Sequence, residues 1–269
     1  MTNEERASIA SAVRRTLLEQ REHKIERGFY WENQIAFAYN SEKMEGNPLS
    51  KDQTRSLFET GTVSGQSIPI DSVLETQNHF RLFDFALDTC EQELDLDLIR
   101  QMQGILKRGS GSSDTAYTQP GEWKTVPNGV GGLQTVEPAL VQEAMERLLD
   151  AYLSATPSIE NIVAFHWRFE CIHPFQDGNG RTGRMIMFRE CLHHGIDPFI
   201  CIDELKRDYY LGLQTFTKSR TTLLSYVERM QELYFEEFGA LVPKNLLLPQ
   251  LRHFKQQEAA FDQPDDLFN

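Results

Sequence analysis

The chain has 269 residues, of which 40% are hydrophobic and 25% are charged, and its formal net charge is −13. This composition indicates a globular protein with one large core. The acidic balance argues against nucleic acid or an anionic membrane as the main partner, because both need a basic face. No stretch is apolar over the roughly 18 residues that a membrane span requires, and the charged N-terminus lacks the apolar core of a signal peptide. We therefore expect a cytoplasmic protein without membrane contact.

The cysteines predict neither a zinc site nor a disulfide framework. They lack CxxC spacing and lie in apolar surroundings, which is typical of buried, reduced thiols in the cytosol. The four are Cys90, Cys171, Cys191 and Cys201.

Helical spacing of apolar residues dominates the chain and predicts a mainly α fold, a helical bundle with a small β-hairpin flap. The first predicted helices cover residues of about 3–24, 29–45, 50–61, 71–91 and 94–107. A mobile link, "GSGSSDT", and the turn-rich stretch "GEWKTVPNGVGG" follow, and the second of these predicts the hairpin. Helices resume over about 137–154, 158–172, 179–194, 203–218 and 221–238, before a docked helix and a frayed tail.

The stretch "CIHPFQDGNGRTGR" (171–184) interrupts two segments that have the spacing of buried helices. Pro174 biases His173 away from the helical region, so the first helix should end there. Apolar residues at helical spacing resume with Met185 and Phe188. The stretch is therefore predicted to be a loop between two core helices, with "GNGR" at the start of the second.

A helix N-terminus preceded by glycines offers unpaired N–H groups and the positive end of the helix dipole, which suits phosphate oxygens. Arg181 and Arg184 lie one turn apart and point to the same side as Met185 and Phe188. Positive charges on the buried face of a helix need a bound anion beside them, or a carboxylate of the protein in its place. The alternative is a glycine-rich connector whose charges are incidental.

His173 and Asp177 are four residues apart, but Pro174 and the glycines exclude the continuous helix that a paired metal site would need. Zinc is therefore disfavoured. A single carboxylate beside phosphate donors suits Mg²⁺, which keeps most of its waters. His173 is the candidate general base, because the ordinary pKa of histidine lies nearest to neutral pH.

"HPFQDGNGRTGR" resembles the signature HPFx(D/E)GNGRxxR of the Fic family, enzymes that transfer AMP from ATP to protein hydroxyls, and every specified position is filled. Weaker resemblance covers residues of about 30 to 235. The related Doc branch, which transfers phosphate, carries a lysine where this chain has Gly180. The resemblance therefore favours AMP transfer, with ATP as co-substrate and a Tyr, Thr or Ser hydroxyl of an unknown protein as acceptor.

The resemblance also implies roles for single residues. His173 deprotonates the target hydroxyl, Phe175 anchors the loop in the core, and Asp177 holds Mg²⁺. The phosphates are held by Gly178, Asn179, Gly180, Arg181 and Arg184. Tyr209 and Tyr210 are candidates for the border of the adenine site, although tyrosines at helical spacing also suit a core. For His166, a hydrogen-bonded core position is favoured over a catalytic one.

In the family, a hairpin near the site pairs with a backbone segment of the target. The resemblance places this flap at Trp123, Lys124, Thr125 and Val126. Gly129 stands where related members often have an aromatic residue, which affects flap stiffness and target choice. The alternative is an ordinary surface hairpin.

"NSEKMEGNP" (40–48) places Glu45 in the last turn of its helix, where the helix dipole disfavours an anion. Ser41, Glu45 and Gly46 match the inhibitory signature (S/T)xxxE(G/N) of the family. The resemblance implies that Glu45 pairs with Arg184 in the place of the γ-phosphate, steadied by Ser41. The alternative is a solvated surface carboxylate.

The resemblance divides the chain into an inhibitory helical region (1–93), a catalytic domain (94–236) and a C-terminal helix with a tail (237–269). It leaves other activities open. Glu45 could align a water that removes AMP from a modified protein, or the site could be a silent nucleotide-sensing module. Phosphocholine or uridylyl transfer is also compatible, because the motif contacts phosphates and not the base. The target, which could be the protein itself, and a dimeric state stay open.

Overall fold

A computed structural model describes residues 3–65, 67–111, 119–130 and 133–243. It confirms the mainly α fold. The helices are α1 (Asn3–Glu22), α2 (Phe29–Met44), α3 (Lys51–Thr60), α4 (Ile70–Asp88), α5 (Leu96–Lys107), α6 (Val141–Leu153), α7 (Ile159–Ile172), α8 (Asn179–His194), α9 (Lys206–Thr215) and α10 (Thr221–Phe238). The predicted helices match these elements closely, because the apolar spacing that defines them is local.

The helix ends follow from local chemistry. Ser50 and Gln53 form the predicted capping box at the start of α3, and Gly61 ends that helix in a left-handed conformation. Ser158 caps α7 by accepting a hydrogen bond from the backbone N–H of Asn161.

Helix α8 runs through the centre of the protein, and almost every residue from its first turn to Leu192 is buried. α7 packs along one side of it, and α1, α2, α4 and α5 surround the other sides. The ring of Phe188 on α8 lies 5.3 Å from the rings of both Phe37 on α2 and Phe83 on α4. The N-terminal helices therefore share one hydrophobic core with the helices on either side of the motif.

The predicted three-part division of the chain stays a prediction. The tail after residue 243 lies outside the described residues, as do residues 112–115 of the predicted link. No helix among the described residues has the length and apolar character that crossing a bilayer requires. Cys90, Cys191 and Cys201 are buried as expected, but Cys171 is exposed, because it lies on the outer face of α7.

The hairpin consists of β1 (Gly129–Val130) and β2 (Leu133–Gln134), paired antiparallel with Gly129 opposite Gln134. The strands begin later than the predicted flap residues 123–126. That segment is instead attached to the motif loop: the backbone N–H of Lys124 donates to Pro174 O at 2.8 Å.

Candidate active site

The motif loop begins where α7 ends. His173 is the C-cap, in a left-handed conformation with φ 51°, and its backbone N–H donates to Phe169 O at 2.8 Å. Pro174 prevents the helix from continuing, and Phe175 is fully buried two residues later. The loop is therefore anchored in the core immediately after the candidate base.

The side chain of Asn179 fixes the shape of this loop. Its Oδ1 accepts from the backbone N–H of Phe175 at 2.9 Å, and its Nδ2 donates to Phe175 O at 2.8 Å. Asn179 is 2% exposed. Buried backbone groups of the loop need hydrogen-bond partners, and Asn179 supplies them. The contact of this side chain with phosphate stays a prediction.

Two glycines make room at the N-terminus of α8. Gly178 is the N-cap, with φ 80°, a conformation that strains other residues. A Cβ atom on Gly180 would lie 2.6 Å from Glu45 Oε1 and 2.9 Å from Arg184 Nη1. A side chain at position 180 would therefore displace the ends of the Glu45 and Arg184 side chains.

Arg184 is 2% exposed and points from α8 towards the C-terminal end of α2. Its Nη2 donates to Glu45 Oε1 at 2.7 Å and to Ser41 O at 3.0 Å, and its Nε donates to Ser41 Oγ at 3.1 Å. The structure thus brings together the three residues that the inhibitory signature pairs. Glu45 itself is the C-cap of α2 and stays 35% exposed.

Arg181 lies one turn earlier on α8 and is held by carboxylates from two other helices. Its Nη1 donates to Glu42 Oε2 at 3.0 Å and also contacts Glu75, and Asp177 Oδ1 lies 3.4 Å from Nη2. Burial raises the pKa of Glu42, and the charge of Arg181 counteracts this. Helix α2 therefore supplies one carboxylate to each arginine of the motif.

Lys107, at the end of α5, completes a ring of alternating charges with Glu75, Arg181 and Asp177. Its Nζ donates to Asp177 Oδ2 at 2.6 Å and also contacts Glu75, and its side chain is 2% exposed. Burial raises the pKa of Asp177, but the charges of Arg181 and Lys107 outweigh this effect and lower it. The metal candidate Asp177 is thus balanced by two cations.

Three residues of this cluster were not predicted from the sequence: Glu42, Glu75 and Lys107. Glu42 lies on the same helix as Glu45, three residues earlier, so helical spacing could have suggested it. Glu75 and Lys107 lie 106 and 70 residues from their partners Arg181 and Asp177, and no local pattern marks them.

His173 lies beside this cluster with its side chain 16% exposed, and its Nδ1 lies 3.7 Å from Glu170 Oε2. The candidate base, the metal candidate and the two arginines therefore occupy one continuous loop and helix start.

A model of the Fic/DOC family matches residues 93–191. "Protein adenylyltransferase fic-1" of Caenorhabditis elegans is 30% identical over 190 residues, which are 68% of this chain and 36% of that protein. "Protein adenylyltransferase Fic" of Drosophila melanogaster is 32% identical over 181 residues, which are 64% of this chain and 35% of that protein. The chain belongs to the Fic/DOC family. It spans little more than a third of the length of these relatives.

Solved structures show the same fold. A Fic domain-containing signalling protein from Bacteroides thetaiotaomicron aligns with a TM-score of 0.71 at 21% identity, over 88% of this chain and 95% of that one. Fic-1 of C. elegans aligns with a TM-score of 0.63 at 21% identity, over 94% of this chain and 74% of that one.

The two tyrosines predicted near the adenine lie in different environments. Tyr209 is 1% exposed, behind the guanidinium of Arg184, and its hydroxyl lies 2.6 Å from His166 Nε2. The core encloses the ring, and its contact with the nucleotide stays a prediction. Tyr210 is 37% exposed and donates to Met44 O at 3.3 Å, so it faces the surface near Glu45.

His166 is a hydrogen-bonded core histidine, as predicted. Burial lowers its pKa to about 4, so the ring is neutral at physiological pH. Its position behind Gly183, whose added Cβ would lie 2.7 Å from His166 Nδ1, separates it from the open side of the Fic motif.

Of the four predicted flap residues, Lys124 is buried and Trp123 is half-buried, and their role in docking a target stays a prediction. Lys124 is 3% exposed, and its Nζ donates to Asn128 Oδ1, Thr135 Oγ1 and Ile172 O at 2.8, 2.7 and 3.1 Å. The ring of Trp123 packs 4.9 Å from that of Phe175. Thr125 and Val126 are exposed.

Proposed function

We propose that the protein is a self-inhibited protein adenylyltransferase that moves AMP from ATP to a Tyr, Thr or Ser hydroxyl of a protein and releases pyrophosphate. One observation carries this proposal: the buried Arg184 of the Fic motif is paired with Glu45 at 2.7 Å. Relatives that are named protein adenylyltransferases support this type of reaction. A buried arginine that an acid from another helix neutralises is a site prepared for an anion.

The phosphates of ATP would lie against the N-terminus of α8. The first backbone N–H groups of a helix are unpaired within it, and the dipole adds a partial positive charge. Arg181 and Arg184 supply two full charges from the same helix. In transfer to a phosphorus atom, positioning and charge neutralisation of this kind provide most of the catalysis.

Asp177 fits a magnesium ion that arrives with the nucleotide. It is the carboxylate of the motif loop, its side chain is 44% exposed, and Mg²⁺ needs only one or two carboxylates besides phosphate oxygens and water. Lys107, 2.6 Å away, competes for this carboxylate. When bound, the ion would neutralise charge on the phosphates.

The chain's own residues account for the proton transfer. His173 takes the proton of the target hydroxyl while the oxygen attacks the α-phosphorus and the bond to pyrophosphate breaks. The hairpin of β1 and β2 lies next to this residue, because Asn128, just before β1, donates from Nδ2 to Phe175 O at 2.9 Å. An extended target segment that pairs with the hairpin would place its hydroxyl near the base.

Glu45 acts as the brake in this proposal. It holds the guanidinium that should receive the terminal phosphate, and Ser41 holds the same group through its side chain and its carbonyl. Glu42 holds Arg181 in the same way. Helix α2 therefore competes with ATP for both arginines.

Hydrolytic removal of AMP from a modified protein is the second candidate. Glu45 uses only Oε1 on Arg184 and is 35% exposed, so Oε2 is placed to orient a water.

One experiment separates the possibilities: wild type, Glu45→Gly and Glu45→Gly/His173→Ala are each incubated with ATP labelled at the α-phosphate and a cell lysate. If the protein is an adenylyltransferase, labelled protein should appear with Glu45→Gly and with neither of the other two proteins. If a pre-labelled target instead loses AMP only with wild type, the second candidate is correct. A silent nucleotide-sensing module would bind ATP and do neither.

A further inference from the structure

The candidate base His173 has a carboxylate beside one of its ring nitrogens. Glu170 lies three residues earlier, in the last turn of α7, and its Oε2 is 3.7 Å from His173 Nδ1. The side chains are 10% and 16% exposed. The left-handed C-cap conformation of His173 brings the ring back over this turn. The contact follows from how the helix ends.

Each of these two side chains has a buried atom without a hydrogen-bond partner among the described residues. Neither His173 Nδ1 nor Glu170 Oε1 is hydrogen-bonded to any described residue, and both atoms are shielded from solvent. His173 Nε2 is not enclosed in this way. Since unpaired buried polar atoms are rare, each of these two atoms needs an explanation. A separation of 3.7 Å is longer than a full hydrogen bond, but contacts of catalytic groups are often long before substrate binds.

The remaining charged and titratable groups around Glu170 leave His173 as its closest ionic partner. His166, one turn earlier, is neutral, and its Nε2 is occupied by the Tyr209 hydroxyl. Arg184 contributes only a weaker electrostatic interaction, and its donors bind Ser41 and Glu45.

We propose that Glu170 is a positioning residue that holds His173 in the tautomer with the proton on Nδ1. A carboxylate can only accept a hydrogen bond, so it selects the Nδ1–H form and leaves the lone pair on Nε2. This role rests on the proposed function. As the target oxygen attacks the α-phosphorus and pyrophosphate leaves, Nε2 takes the hydroxyl proton. The imidazolium formed keeps Nδ1–H on Glu170, which stabilises its charge, as the third residue does in a Ser-His-Asp triad.

The test uses the full-length protein with Glu170→Gln and Glu170→Leu. The amide keeps the size of the side chain but both donates and accepts, whereas leucine does neither. Glu160→Gln is the matched control, because it removes a carboxylate from the first turn of the same helix. Circular dichroism and thermal unfolding establish that each variant is folded.

The first measurement is the tautomer of His173 by long-range ¹H–¹⁵N NMR of the imidazoles, assigned by the signals missing in His173→Asn. We expect only the Nδ1–H form in wild type and in Glu160→Gln, and a population of the Nε2–H form in both Glu170 variants. An unchanged tautomer in both variants overturns the proposal. This measurement requires no transfer activity.

The second measurement is transfer of labelled AMP in the Glu45→Gly background. We expect kcat to fall by about 10- to 100-fold in both Glu170 variants, part of the loss that removing a general base causes, with the Kd for ATP unchanged. Loss of ATP affinity equal to the loss of kcat, or full transfer despite a changed tautomer, also overturns the proposal. Glu45→Gly could transfer no AMP although the tautomer of His173 depends on Glu170. In that case the proposed function is wrong, but the pairing of Glu170 with His173 is confirmed.

Discussion

Glu45 and Arg184 meet inside the protein, 2.7 Å apart, although 139 residues separate them in the chain. One is the C-cap of α2 and the other lies in the second turn of α8. A carboxylate at the C-terminal end of a helix is unfavourable for that helix, and a buried arginine without a counter-ion is unfavourable for the core. Each residue therefore compensates for the other.

Glu45→Gly should activate transfer. If the braked state is favoured by about 2–3 kcal/mol, removal of the carboxylate raises activity about 30- to 150-fold. Self-labelling with α-labelled ATP, together with labelling of lysate proteins, measures the change. The Glu45→Gly/His173→Ala protein is the control and should show no labelling. A folded, ATP-binding Glu45→Gly protein that labels no more than wild type would contradict the brake.

Lys107→Met should reduce the free energy of unfolding by about 2–4 kcal/mol, because a buried cation between Glu75 and Asp177 is lost. Combination with Glu75→Gln should cost less than the sum of the two single changes, with a coupling of about 1–3 kcal/mol. Urea unfolding of the four proteins measures this cycle. The exposed pair Arg229 and Glu232 provides the control cycle, with an expected coupling of about 0–1 kcal/mol. Equal coupling in both cycles would contradict the ring.

Asn179→Ala should lower the stability of the protein, whereas Asp177→Ala should lower its transfer activity. Asn179→Ala leaves the backbone N–H of Phe175 without its acceptor and should cost about 1–3 kcal/mol of stability. Asp177→Ala should abolish transfer in Mg²⁺ with little change in Tm, because the side chain is 44% exposed and Lys107 and Arg181 keep Glu75. Measurements of Tm and of the transfer rate on both variants distinguish a structural role from a catalytic one. A large fall in Tm with Asp177→Ala would show that this residue is structural.

Lys124→Met should loosen the hairpin. The Lys124 ammonium binds Asn128 and Thr135, on either side of β1 and β2, and also Ile172 O beside the base. Hydrogen exchange of residues 129–134 should become faster, while exchange in α10 stays the same. Lys218→Met, at an exposed lysine, is the control. Unchanged exchange of the hairpin would show that the other contacts suffice.

His79 should make the protein sensitive to acid. It is fully buried, and burial, with the charges of Arg181 and Arg184, lowers its pKa to about 3. In the unfolded chain its pKa is about 6.5, so below that pH the unfolded state binds more protons and stability falls. From pH 6.5 to pH 5 this residue alone should cost about 2 kcal/mol. His79→Phe should remove that part of the pH dependence in urea unfolding, whereas the exposed His23→Phe should not; equal behaviour of the two variants would contradict the assignment.

The sequence alone determined the elements and the motif. Helix bounds follow from apolar spacing and from caps such as Ser50 and Gly61, which act within a few residues. The motif is contiguous from His173 to Arg184, so the proposal that it binds phosphate could be made from the sequence alone. The partners of Arg184 were predictable only because the inhibitory signature is itself a short local pattern.

Only the tertiary structure decided which side chains the motif meets. Glu75 and Lys107 approach it because α4 and α5 pack around α8, and no spacing in the chain records that arrangement. The same packing encloses Tyr209, and it turns the side chain of Lys124 towards the end of α7. Helical periodicity specifies which face of a helix is buried, but the residue opposite depends on the angle and register at which two helices pack.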